Sequence, residues 1–81
     1  MTRVERHLLH FIFAYLKDHG YPPGYGEMLV ALREHHPSMT LNEIYKMLID
    51  LINMRYVEMP NGFQKPRALR LVWVSPEEKV A

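Results

Sequence analysis

No cysteine occurs among the 81 residues, and there are only four glycines and one tryptophan. The missing thiols exclude a disulfide framework and thiolate chemistry, and they leave any metal site without its commonest structural ligand. With so few glycines there is no Gly-rich loop to cradle a phosphate, and neither Ser38 nor Ser75 stands in a nucleophile-elbow context. No pair of acids is embedded in an apolar pocket pattern, so the chain is expected not to be an enzyme and to need no cofactor. No apolar run approaches the roughly 18 residues of a membrane span. Glu5, Arg6, His7 and His10 interrupt the apolar residues near the start, so no signal peptide and a cytoplasmic location are expected.

The formal charge is small as well, +1 at neutral pH, but it is unevenly spread. Residues 1 to 59 sum to −1. Residues 60 to 74 carry Lys65, Arg67 and Arg70 with no acid. A short cationic segment matters if the partner has a phosphate backbone, although exposed hairpins often carry such charges.

What is present is a 48% apolar chain of a length that makes one small domain. Thr2 and Glu5 have the spacing of a capping box, and Val4, Leu8, Phe11, Ile12, Tyr15 and Leu16 follow at helical period. The pattern ends at Asp18-His19-Gly20, where Gly20 suits a left-handed cap, and Tyr21-Pro22-Pro23-Gly24 cannot continue a helix. A second helix is expected from Tyr25 to His35, with Met28, Leu29 and Leu32 on one stripe and Val30 and Ala31 widening it. Pro37-Ser38 breaks the chain. Thr40 and Glu43 then form a second capping box, with Met39 and Ile44 placed as a hydrophobic staple. The third helix should run to about Met54 and bury Ile44, Leu48, Leu51 and Ile52.

Beyond Arg55 the period changes. Tyr56–Met59 and Leu69–Val74 read as strands, joined by Pro60-Asn61-Gly62 and a loop over Phe63–Arg67 that is too long for a two-residue hairpin. The order of helix, helix, helix, strand, loop, strand predicts a mainly α fold with a small β-hairpin: a winged helix-turn-helix of three helices plus a two-stranded wing. It should occupy residues 1 to 74, with residues 75 to 81 a short polar C-terminal tail. In this arrangement the third helix can enter the major groove of duplex DNA, and the wing can lie on phosphates. Winged helices also serve as protein docking modules, so fold alone does not decide the use.

Gly20-Tyr21-Pro22-Pro23, Glu27-Met28, Leu48-Ile49-Asp50-Leu51 and Arg67-Ala68-Leu69-Arg70-Leu71, in this order and spacing, resemble the DNA-binding domain of LexA-type repressors. The resemblance covers roughly residues 5 to 73 and does not include the Ser-Lys protease domain of such repressors. It implies a transcription regulator that binds double-stranded DNA as a homodimer, with Thr40 and Asn42 opening the reading helix and Tyr45 and Lys46 next along it. Two differences stand out. Gly24-Tyr25-Gly26-Glu27 keeps the family's acid but has no arginine before it, and the connection over residues 33 to 39 is about three residues longer than is usual.

The candidate DNA-binding residues are therefore Thr40, Asn42, Tyr45, Lys46, Lys65 and Arg67. An asparagine amide can pair bidentately with adenine, while in the first turn of a helix it can equally serve as a cap. Thr40 is a natural cap that can also touch phosphate. Tyr25 and Tyr45 either offer hydroxyls to phosphate or pack, and Phe63 either inserts from an exposed wing tip against sugars or a partner protein or folds back on the strands. Trp73 alternates with Leu69 and Leu71 as core or as a dimer contact. Glu43 and Asp50 on the reading helix would repel phosphates, which favours the alternative of a protein partner. The five histidines, among them His7 and His10 at three-residue spacing and the adjacent His35-His36, match no zinc-binding spacing, and no metal is expected.

Overall fold

The structure, a computed structural model, describes residues 1–72. Helix α1 spans Arg3–His19, α2 Tyr25–Arg33 and α3 Leu41–Asn53, followed by strands β1 (Val57–Glu58) and β2 (Arg70–Leu71). The chain folds as a winged helix-turn-helix: mainly helical, with a two-stranded antiparallel sheet as its wing. Val57 lies opposite Leu71, and Glu58 opposite Arg70. None of these helices is long and apolar enough to cross a membrane.

Each helix starts where the sequence provides a cap. The Thr2 hydroxyl accepts from the Glu5 amide at 3.1 Å, and the Glu5 carboxylate accepts from the Thr2 amide at 2.8 Å. Thr40 and Glu43 repeat this reciprocal pair at the start of α3. Gly24 has no side chain to offer, so α2 has only the return half, the Gly24 amide donating to Glu27 Oε1. Gly20 closes α1 in the left-handed region at φ 80°, its amide bonded to the Leu16 carbonyl at 2.8 Å.

The core fills the space between the helices and the base of the wing. Leu8, Leu9 and Ile12 of α1 meet Met28 and Leu32 of α2, and Ile44, Leu48 and Leu51 of α3, with Val57 and Leu69 below. The staple residues Met39 and Ile44 are both buried in this cluster. At about 2–5 kcal/mol for each large-to-alanine change in a core, the three residues Ile44, Leu48 and Leu51 on one face of α3 account for much of what a domain this small can hold.

Several expectations need correction. Helix α2 ends at Arg33, two residues before His35, because the chain turns there with His35 and His36 amides both bonded to the Leu32 carbonyl. Val30 does not widen the buried stripe. Met28 and Leu32 lie one turn apart on the core face, which leaves Val30 round the helix and 68% exposed. The strands are shorter than the apolar alternation suggests, although a further bond from the Val72 amide to the Tyr56 carbonyl extends the pairing. Trp73, Val74 and the tail over residues 75 to 81 lie outside the described residues. Within the wing, a turn closes from the Gly62 amide to the Met59 carbonyl, and a single 3-10 turn covers Pro66–Ala68.

Besides Gly20, two described residues adopt left-handed backbone: Gly62, and Arg55 at φ 67°, which reverses the chain between α3 and β1. A side chain there costs an L-residue about 1–2 kcal/mol. Arg55→Gly should therefore raise the melting temperature modestly. Gly20→Ala should lower it by several degrees (about 1 kcal/mol), because a Cβ there meets open space and the penalty is purely conformational. Thermal denaturation of the two variants checks both signs.

Candidate nucleic-acid interface

Helix α3 buries one side and presents another. Asn42, Lys46, Ile49 and Asn53 form an exposed stripe at i, i+4, i+7 and i+11. On one flank Tyr45 leans toward the wing, and on the other Asp50 faces the first turn of α1. The N-terminus of this stripe is capped by Thr40, whose Oγ accepts from the Glu43 amide at 3.2 Å and donates to Glu43 Oε1 at 3.1 Å. Thr40 is thus engaged as a cap. The two roles weighed for Asn42 separate here, since Thr40 and Glu43 supply the cap and the Asn42 side chain has no hydrogen bond within the described residues. Lys46 makes no ion pair among them either. The Glu43 carboxylate, drawn back over the helix start, offsets part of the positive end of the helix dipole.

An aromatic wedge holds the wing beside α3. The Tyr45 ring meets Tyr25 edge-on at 4.9 Å between centroids and Phe63 at 6.1 Å. The Tyr25 hydroxyl donates to the Phe63 carbonyl at 2.5 Å, and burial, with nearby Tyr45 a lesser cause, pushes its pKa up to about 12. Phe63 is half-buried and packs against the core, so it folds back and does not project from the wing. Tyr25 spends its hydroxyl inside the protein, and Tyr45 spends its ring.

The three wing cations have different fates. Arg70 pairs with Glu58 across the strands at 3.1 Å. Arg67 turns inward: Nη1 donates to the Pro22 carbonyl at 3.0 Å, Nη2 to Glu27 Oε1 at 3.0 Å, and the guanidinium lies 4.9 Å from the Tyr21 ring centre. Only Lys65 is exposed with no ion pair among the described residues. Of the six candidate residues, then, Asn42, Lys46 and Lys65 face solvent unengaged, Thr40 caps, Tyr45 packs, and Arg67 ties the wing to the turn between α1 and α2.

Glu27 is the centre of that tie, a role its place in the sequence did not announce. Its Oε2 accepts from the Tyr15 hydroxyl at 2.7 Å, and its Oε1 from Gly24 and Arg67. These bonds, that from Tyr15 foremost, hold its pKa down at about 2. Tyr15 in turn stacks on His19 at 3.9 Å. A Cβ at Gly24 would sit 3.3 Å from Glu27 Oε1, so glycine at the cap makes room for the carboxylate to reach back.

A second carboxylate contact joins α1 to α3. Glu5, buried, faces Asp50; the Thr2 amide lowers the pKa of Glu5, while the hydrogen bond with Glu5, burial and the neighbouring charge raise that of Asp50. Among the described residues, no three His, Cys, Asp or Glu side chains are grouped as metal ligands. The histidines were weighed in sequence only as metal ligands, His7 and His10 on one helix and His35-His36 in a loop, without Arg3 and Arg6. Yet Arg3, Arg6, His7 and His10 stand at i, i+3, i+4 and i+7, one stripe of α1, and that spacing was the available signal.

The fold defines a class, small winged-helix proteins, and comparison goes no further: neither protein-family models nor curated proteins give a match to this chain.

Two acid–base outcomes follow. A depressed carboxylate contributes stability that is present above its ordinary value of 4.5 and is lost as pH falls through about 2. Glu27→Gln should therefore be less stable than the parent at pH 7, with the gap closing across that window; denaturant titrations over pH would show it, and a pH-independent gap would remove the charge from the account. Asp50 has the opposite sign: its stabilising proton is held below 3.8 and lost as pH rises through the elevated value. Asp50→Asn should raise the melting temperature at pH 7 and lose that advantage in acid.

Proposed function

We propose that the protein is a sequence-specific, double-stranded DNA-binding transcriptional regulator that lays α3 in the major groove. The observation that carries this reading is the solvent-facing stripe beginning at Asn42 and Lys46, set beside a wing that Tyr45, Tyr25 and Phe63 lock against the same helix. A helix of this size fits the groove, and residues in its first two turns reach base edges. Asn42 supplies the amide for adenine, Lys46 reaches guanine or phosphate, and Lys65 lies on the backbone. So few base contacts give limited discrimination, which supports action as a homodimer on paired half-sites.

One observation favours a second reading, a docking module for polymerase or another regulator. Ile49 lies in the middle of the same stripe and is 46% exposed, and Leu41 beside it is 38% exposed. With Arg67 and Arg70 paired internally, that face is less cationic than the sequence suggests. Protein docking through these apolar side chains would depend little on salt, whereas phosphate binding weakens steeply with it.

Selection of bound duplexes from a random pool tests the DNA reading. A defined motif should emerge, and Asn42→Ala should relax preference at one base pair at a cost of about 1–3 kcal/mol. Lys65→Ala should weaken all duplexes alike and flatten the salt slope by about one. No enrichment, with Ile49→Asp abolishing binding to a protein partner, would establish docking instead.

A further inference from the structure

A cluster of arginine and histidine side chains with no acid lining it lies away from the wing. Arg3, Arg6, His7 and His10 of α1 and His35 and His36 of the α2–α3 connection line one cleft of about 480 Å³. No carboxylate lines it. Neither Arg3 nor Arg6 makes an ion pair with a described residue. The His7 ring lies 4.9 Å from His35 and 6.2 Å from His36, so the imidazoles are gathered from two separate elements. The neighbouring charges are turned elsewhere. Glu5 sits on the opposite, buried face of α1 with Thr2 and Asp50, Arg33 donates to the Met39 carbonyl at 2.9 Å, and Glu34 lines a different groove with Phe11 and Val30.

Such a gathering has an electrostatic consequence. Like charges held together by the fold repel one another, and an anion in the cleft removes that repulsion. Two guanidinium forks present planar pairs of donors, and imidazole N–H groups add further donors, a set that matches the oxygens of a phosphate. From this convergence we propose that the cleft is a phosphate-binding site, separate from the exposed face of α3 and independent of what that face reads. His36 stands four residues before Thr40, and the turn between them is pinned by the Met39 amide to the His36 carbonyl at 2.9 Å. A phosphate bound here therefore rests against the segment that leads into α3. The phosphate has two possible sources, a soluble phosphate compound or the backbone of a nucleic acid.

The test follows the imidazole proton resonances of His7, His35 and His36 by NMR in the full chain. The first arm titrates inorganic phosphate against chloride at equal ionic strength; the second measures the salt slope for a mixed-sequence DNA duplex. Both are repeated with Arg3→Ala/Arg6→Ala, whose side chains are exposed and whose loss leaves the core intact, and folding is checked by the unchanged methyl resonances of Leu8 and Ile12. Saturable shifts in phosphate alone are expected. In the double variant phosphate binding should weaken about tenfold or more. If the DNA salt slope also falls by about two in the variant, the phosphates belong to nucleic acid. If the DNA arm is unchanged while inorganic phosphate still binds the parent, the ligand is a soluble phosphate. Shifts that are equal in chloride, or identical in the folded double variant in both arms, overturn the proposal.

Discussion

One carboxylate ties the wing of this protein to the first two helices. Glu27, in the first turn of α2, is bonded to the Tyr15 hydroxyl of α1, to the Gly24 amide and to Arg67 of the wing. An isolated ion pair as exposed as Arg67–Glu27 contributes little by Coulomb attraction. Here it contributes geometry, because the same guanidinium also holds the Pro22 carbonyl and covers the Tyr21 ring. Three segments far apart in the chain are thereby fixed to one another. The two-stranded sheet is too short to orient a wing by itself. Farther along the wing, the contact of Tyr25 and Tyr45 with Phe63 completes the attachment and sets the loop beside α3.

This attachment has an electrostatic cost for function. The same arginine that anchors the wing is neutralised by doing so, and Arg70 is neutralised by its cross-strand partner. The segment that looks most cationic in the sequence retains one unpaired charge, Lys65, among the described residues. The cleft between α1 and the α2–α3 connection shows the reverse: scattered arginines and histidines that draw no notice singly line one cleft that no acid lines. For a protein with net charge +1, the position of uncompensated charge matters more than the total.

Much of the scaffold was legible beforehand for local reasons. Capping boxes at Thr2 and Thr40, the stop at Gly20 and the prolines after it are settled by bonds within four residues, so helix limits agree closely. The exception is the end of α2, where the sequence offers no strong stop before Pro37. The stripes of Leu8, Ile12, Ile44, Leu48 and Leu51 were readable because 3.6-residue periodicity selects one face. The candidate site was legible in part. Asn42 and Lys46 face outward as their positions require, whereas Tyr25, Tyr45 and Arg67 are exposed types with inward uses, and nothing in their neighbours along the chain distinguishes the two.

The sequence alone determined the helices, their caps and the apolar faces that must meet, since these follow from interactions between residues a few positions apart. Tertiary structure alone decided which charges cancel and which remain. Arg67 and Glu27 are forty residues apart, as are Tyr25 and Phe63 to within two, and His7 is separated from His35 by twenty-eight. Coulomb and hydrogen-bond energies depend on distance in space, which no local pattern encodes until the core has brought the helices together.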